Sequence, residues 1–135
     1  MKKKLLSVFT LGVLAFTWMQ AENSYGIPDN IQDGNILHCF NWPIKTVTEN
    51  LQSIAEAGYG AVQLSPLQRA DVKSNWHWYD LYCPADISLK ESSALGTKAD
   101  LKDLCAKAET FGIKVIVDVV ANHINWTQGF YDTWW

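Results

Sequence analysis

A single acidic residue interrupts the apolar run Val115-Ile116-Val117-Asp118-Val119-Val120, and Asn122-His123 follow almost at once. An ionised carboxylate inside an apolar strand is costly unless it is paired or reaches a polar end of the sheet. In parallel α/β folds, the edge where strands emerge is where ligands bind. Asp118, Asn122 and His123 are therefore candidates to converge on one ligand. The plainer alternative is that Asp118 only accepts from loop amides and that Asn122-His123 is an ordinary turn.

A second candidate set is aromatic. Seven tryptophans occur in 135 residues, and most lie in two clusters, Trp76 with Trp78 and then Trp126, Trp134 and Trp135. His77, Tyr79 and Tyr82 accompany the first cluster. A pyranose ring lays its C–H face on an indole or phenol ring, so concentrated aromatics suit a carbohydrate site. Aromatics packed on one another beneath a loop would give the same composition.

The elements that must position these residues can be read from spacing. Asn35-Ile36-Leu37-His38-Cys39-Phe40 is a short apolar run that reads as a buried strand, ended by Trp42-Pro43. Thr46 followed by Glu49 is a capping-box pattern, after which Val47, Leu51, Ile54 and Ala55 recur at helical spacing. Gly58 stands where a helix ends on a left-handed residue. Ala61-Val62-Gln63-Leu64 makes a second strand, closed by Ser65-Pro66. Residues 67–94 show no sustained period; a stretch this long inside a compact domain is usually functional or disordered, and its aromatic density favours function. Thr97 and Asp100 repeat the capping pattern, Leu101, Leu104, Cys105, Ala108 and Phe111 form one helical face, and Gly112 ends that helix. Residues 113–120 read as the strongest strand.

Strand, helix, strand, helix, strand predicts parallel pairing with right-handed crossovers. The near-continuous apolar third strand suits a sheet covered on both faces. A doubly wound sheet and the opening of an eight-stranded barrel both fit. No glycine-rich phosphate fingerprint follows the first strand, which weakens a dinucleotide site.

The ends and the overall composition narrow the function further. Lys2, Lys3 and Lys4 precede an apolar stretch at 5–18, and Ala21 offers a cleavage point, the pattern of a secretory signal peptide over residues 1–21. A retained membrane anchor is the alternative, but the stretch falls short of the roughly 20 residues that span a bilayer. Cleavage would remove three lysines and move the formal charge from −3 to −6. An acidic chain without a basic patch has no footprint for nucleic acid, and no membrane partner is expected after cleavage. Cys39, Cys83 and Cys105 are odd in number and lack the spacing of a zinc site; they read as buried filler.

With these elements in place, a family resemblance becomes specific. Asp118-Val119-Val120-Ala121-Asn122-His123 resembles the first signature motif of the alpha-amylase family, glycoside hydrolase family 13. His38-Cys39-Phe40-Asn41-Trp42 resembles the first barrel strand of secreted bacterial members. The run from Ala57-Gly58-Tyr59 to Leu64-Ser65-Pro66 resembles the second, and Leu81-Tyr82-Cys83-Pro84 resembles the Tyr-Gln-Pro segment. Leu95-Gly96-Thr97 onward continues the likeness, which covers about residues 35–123.

The resemblance implies an α/β fold, the N-terminal part of a (β/α)8 barrel truncated after its third strand. Added to the residue reading of 1–21 as a signal peptide and 22–34 as a leader, it places barrel strands and helices at 35–123 and the start of an insertion at 124–135. It implies that the parent cleaves α-1,4 links of starch or glycogen with retention. A glucan-binding relative without catalysis, or an α-glucosidase or transglycosylase of the same family, would share these motifs. Tyr82 would stack on the sugar at the cleavage subsite, with Trp78 or Tyr79 lining the neighbouring glucose. His123 would donate to a hydroxyl of the same sugar as Tyr82, Asp118 would brace the site, and Asn122 would give one oxygen to a structural calcium. Cys83 stands where the family has glutamine, which puts that side chain's polar contacts in doubt. A retaining mechanism needs two carboxyl groups roughly 5–5.5 Å apart. The family's catalytic carboxylates stand on later strands, so no catalytic residue is expected here. The 135 residues alone are expected to be inactive and, with open strand edges, marginally stable.

Overall fold

The computed structural model describes residues 24–70, 77–86 and 92–124. The signal-peptide reading, Trp76 and the Trp126–Trp135 cluster lie outside these residues. Among the described residues, no helix is long and apolar enough to cross a membrane.

Two peptide runs, β1 (Asn35–Cys39) and β2 (Tyr59–Leu64), pair in parallel. Between them lie two short helices, α1 (Ile44–Glu49) and α2 (Leu51–Glu56). A small antiparallel pair, β3 (Ser92–Ser93) and β4 (Gly96–Thr97), leads into α3 (Lys98–Thr110). The last strand, β5 (Lys114–Val117), pairs in parallel with β2, giving the sheet order β1-β2-β5. These three strands and their crossovers are the α/β arrangement expected of the sequence.

Strand alternation sorts the sheet into two faces. Cys39, Val62 and Leu64 enter the core with Ile44, Val47, Leu51, Ile54, Leu104 and Ala108, and Leu37, Val115 and Val117 pack against it. The opposite rows carry Ile36 and His38 on β1 and Gln63 on β2, with His38 in register with Gln63 and Gln63 with Ile116. Ile36 is 45 % exposed there. The sheet is thus covered on the helix side, while the face carrying Ile36 remains partly open, unlike the double cover expected of β5.

Several local expectations need correction. Thr46 does not cap a helix: α1 begins two residues earlier, after Pro43, which has no side-chain cap bond. Proline's fixed φ suits a helix start, and it needs no N–H there. The helix also does not run unbroken to Gly58. Asn50 leaves the helical region (φ −102°, ψ 4°), and its amide turns back to the carbonyl of Thr46 (2.8 Å). The second capping box is present in full, with Thr97 and Asp100 exchanging side-chain and backbone bonds. Those bonds, from the Thr97 backbone and then its hydroxyl, hold the Asp100 carboxyl below its ordinary range. Gly58 (φ 82°) and Gly112 (φ 73°) are left-handed, as their stop positions require. Cys105 is exposed, so of the three cysteines only Cys39 is fully buried filler. The strand expected over 113–120 pairs only through Val117.

The segment before β1 belongs to the fold as well. Ile27 is buried in the core, Tyr25 packs on Phe111 (centroids 5.8 Å apart), and Lys114 Nζ donates to the Pro28 carbonyl (3.3 Å). These contacts fall at the amino ends of β2 and β5. Gly60 makes the approach possible: a Cβ there would sit 3.1 Å from Ile27 Cγ2.

Candidate functional site

Beyond its last ladder position, β5 stays attached to β2. The Asp118 N–H donates to the Leu64 carbonyl (3.0 Å), which delivers the carboxylate to the carboxyl edge of the sheet. Asp118 is two residues past Ile116 and so shares the face of Gln63. The Gln63 amide donates to Asp118 Oδ1 (2.7 Å), and the Tyr82 hydroxyl donates to Asp118 Oδ2 (2.9 Å). Both oxygens of the carboxylate are engaged. That answers the cost of placing it in an apolar strand.

Two further residues hold this edge. Gln68, 5 % exposed, accepts from the Val120 N–H (2.7 Å) and donates to the Val120 carbonyl (3.0 Å). One side-chain amide thereby extends sheet-like pairing past the end of β5 and fixes the chain just before Asn122 and His123. Ser65 is fully buried, and its Oγ accepts from the Asn41 N–H (2.9 Å).

Tyr82 ends a short 3-10 turn, Asp80–Tyr82, closed by the Asp80 carboxylate accepting from the His77 N–H (2.7 Å). Burial pushes the Tyr82 phenol above its ordinary pKa; the neighbouring Ser65 hydroxyl opposes the rise, and Asp118 adds to it as acceptor and as negative charge. His123 Nε2 lies 2.9 Å from the Tyr82 carbonyl. A carbonyl only accepts, so Nε2 carries the hydrogen, leaving Nδ1 an acceptor in the neutral ring.

The aromatics form a ledge beside this network. Phe40 at the end of β1 stacks on Tyr82 (6.1 Å between centroids, 22° between planes) and approaches Trp78 (6.0 Å). Trp78 meets Tyr79 edge to face (5.4 Å, 86°). Trp78 is 66 % exposed and Tyr79 43 %, so they are not packed away beneath the loop. Exposed aromatics grouped at the polar edge of a sheet suit a flat apolar ligand surface.

The structure therefore brings Tyr82, Asp118 and His123 together, with Trp78 and Tyr79 adjoining through Phe40. Asn122 is exposed, one residue from His123. Calcium takes roughly six to eight oxygen ligands. Among the described residues no three His, Cys, Asp or Glu side chains gather to hold a metal.

Gln63, Gln68, Ser65, Asn41 and Phe40 were not singled out by sequence reasoning. For Gln63 a signal existed, since it breaks an apolar strand just as Asp118 does. Gln68 sits in a loop and gives none, and Asn41 stands in the motif at 38–42 without a pattern that points to its role.

The family model described as alpha amylase, catalytic domain, matches residues 28–133 of this chain. The chain belongs to the alpha-amylase family. It is 40% identical over 100 residues to an alpha-amylase of Clostridium acetobutylicum, covering 73% of this chain and 13% of the relative. It is 37% identical over 118 residues to an alpha-amylase of Butyrivibrio fibrisolvens, covering 82% of this chain and 12% of the relative. The chain thus spans about an eighth of the length of these curated relatives. A solved alpha-amylase from Geobacillus thermoleovorans, complexed with acarbose, superposes with a TM-score of 0.61 at 27% identity, over 73% of this chain and 25% of that one. Alpha-amylase I from Eisenia fetida gives the same fold at 24% identity and a TM-score of 0.61, over 67% of this chain and 18% of that one. The sheet and its crossovers are the N-terminal part of an alpha-amylase (β/α)8 barrel.

Proposed function

We propose that the complete protein is an exported glycoside hydrolase that cleaves α-1,4 links in starch or glycogen with retention. The observation that carries this reading is the Tyr82–Asp118 hydrogen bond, with His123 on the Tyr82 carbonyl and an exposed aromatic ledge alongside. The acarbose complex of the Geobacillus relative supports an α-glucan ligand for a rim of this kind.

In this reading the Tyr82 ring stacks on the sugar at the cleavage subsite, and Trp78 or Tyr79 lines the neighbouring glucose. Asp118 is a brace rather than a nucleophile, because both its oxygens are already accepting hydrogen bonds. His123 faces the same sugar with Nδ1; with Nε2–H spent on the Tyr82 carbonyl, this nitrogen accepts from a hydroxyl rather than donating to it as expected from the resemblance. Asn122 supplies one oxygen to a calcium whose other ligands come from elsewhere in the protein. Bond cleavage itself falls to carboxylates outside these 135 residues, so the piece alone is inactive.

Reducing-sugar release from starch by the complete protein, with the anomeric form of the first product followed by NMR, tests the reading. Sugar released as the α-anomer supports it. No release, or release of the β-anomer, overturns it.

A further inference from the structure

Asn41 lies just past β1 and belongs to none of the residues assigned to the sugar. Its backbone is left-handed (φ 57°), a conformation that asparagine visits more readily than most residues. From there it makes two connections. Its N–H donates to the buried Ser65 Oγ (2.9 Å), just past the end of β2. Its side-chain amide donates to the Trp78 carbonyl (2.8 Å). The remaining side-chain atom, Oδ1, is buried and has no hydrogen-bond partner among the described residues.

A buried acceptor without a donor is unfavourable, so packing alone does not explain an amide at this position. The donor half does useful work on Trp78, and the acceptor half is the cost of having it. Flipping the amide would set oxygen against the Trp78 carbonyl, so this orientation follows from the contact.

We propose that Asn41 is a positioning residue that fixes the aromatic ledge relative to the Tyr82–Asp118 pair. Through its side chain it holds the Trp78 end of the ledge, and through its N–H to Ser65 it is tied to the end of β2, the strand whose Gln63 holds Asp118. A glucan chain lying across both positions then meets two sugar platforms already at their working separation. This rests on the sugar-binding reading above. The consequence is specific: Asn41 governs how well an extended chain binds, while the chemistry at the cleaved bond does not depend on it.

The test uses the complete protein and maltoheptaose. Asn41→Gly keeps the left-handed backbone and its N–H to Ser65 but deletes the amide; Asn41→Asp keeps the shape but sets an acceptor against the Trp78 carbonyl. Each should raise KM for maltoheptaose about five- to tenfold, the worth of one hydrogen bond, with kcat within about twofold. The Tm of Asn41→Gly should stay within about 2 °C of the unsubstituted protein, since no core contact is lost. Unchanged KM in both variants overturns the proposal. So does a fall in kcat at constant KM, or a KM change that appears only alongside a large loss of Tm. If the unsubstituted protein neither binds nor cleaves maltoheptaose, the sugar-binding reading has failed first; if it does both and the variants match it, only the role of Asn41 has failed.

Discussion

Tyr82 and Asp118 come from segments 36 residues apart and meet in a single 2.9 Å hydrogen bond from phenol to carboxylate. With Gln63 on the other oxygen, each carboxylate oxygen accepts from one side chain, the loop's tyrosine or the neighbouring strand's glutamine. The bond fixes the height of the Tyr82 ring above the sheet edge. Tyr82→Phe, which keeps the ring and loses the bond, should lower kcat/KM on starch about tenfold. Tyr82→Ala, which also removes the stacking surface, should lower it roughly a hundredfold or more. Sugar release by the two variants checks the order; equal loss in both would mean that stacking contributes nothing.

The same pair sets a pH dependence. Burial and the Asp118 charge hold the Tyr82 phenol above its ordinary pKa, which is about 10 for tyrosine. A raised value in the folded chain favours the protonated phenol. Its stabilisation is therefore complete below about pH 10 and is lost as pH rises through the higher folded value. Ultraviolet titration of the protein against Tyr82→Phe should show one phenol ionising above about pH 10. A missing phenol that titrates at or below that point would contradict the burial described here.

Gln68 should matter more than its loop position suggests. Gln68→Glu replaces the donor to the Val120 carbonyl with a second acceptor in a buried place, and the loss should be about 2–4 kcal/mol in urea unfolding of the complete protein. KM for glucan should rise with it, because the chain carrying His123 loses its tether. A Gln68→Glu protein as stable as its parent would show that Val120 needs no such support.

At the other end of the sheet, Gly60→Ala would place a methyl 3.1 Å from Ile27 Cγ2. Overpacking of this kind should cost about 1–2 kcal/mol. Shortening the neighbour in Ile27→Val should recover part of that loss, so a double-mutant cycle on Tm should show coupling between the two sites. Strictly additive effects would mean that the residues do not touch.

Thiol labelling gives a check on the whole arrangement. Burial pushes the Cys39 thiol up to about 11, whereas Cys105 is exposed. A thiol reagent at pH 8 should modify Cys105 quickly and reach Cys39 only after denaturant is added. Rapid reaction of Cys39 in the native protein would refute the packing of β1.

The sequence carried the three strands and the α3 helix because each has a repeating apolar pattern with its own stop: Gly58, Gly112 and the Thr97–Asp100 box. Asp118 was legible because a charge inside an apolar strand needs a partner. The residues that hold the surrounding edge were less so. Gln63 offered the same kind of break in a strand, but Ser65, Gln68 and Asn41 act through loop geometry that no period encodes. The α1 start was misplaced because Thr46 and Glu49 match a cap pattern locally, while Pro43 had already set the chain in helical φ. The segment at 22–34 was read as a leader because it is polar on average. One isoleucine in it, Ile27, was enough to tie it to the core.

That tie has a practical consequence. Ile27, Pro28 and Tyr25 work at the amino ends of the strands, and Tyr82, Asp118 and His123 at the carboxyl ends. On the sugar-binding proposal, robustness and recognition therefore sit at opposite poles. Trimming or redesigning the stretch around residue 27 should shift the melting behaviour and leave sugar preference alone, so a hardier variant could be sought there without disturbing what the protein grips.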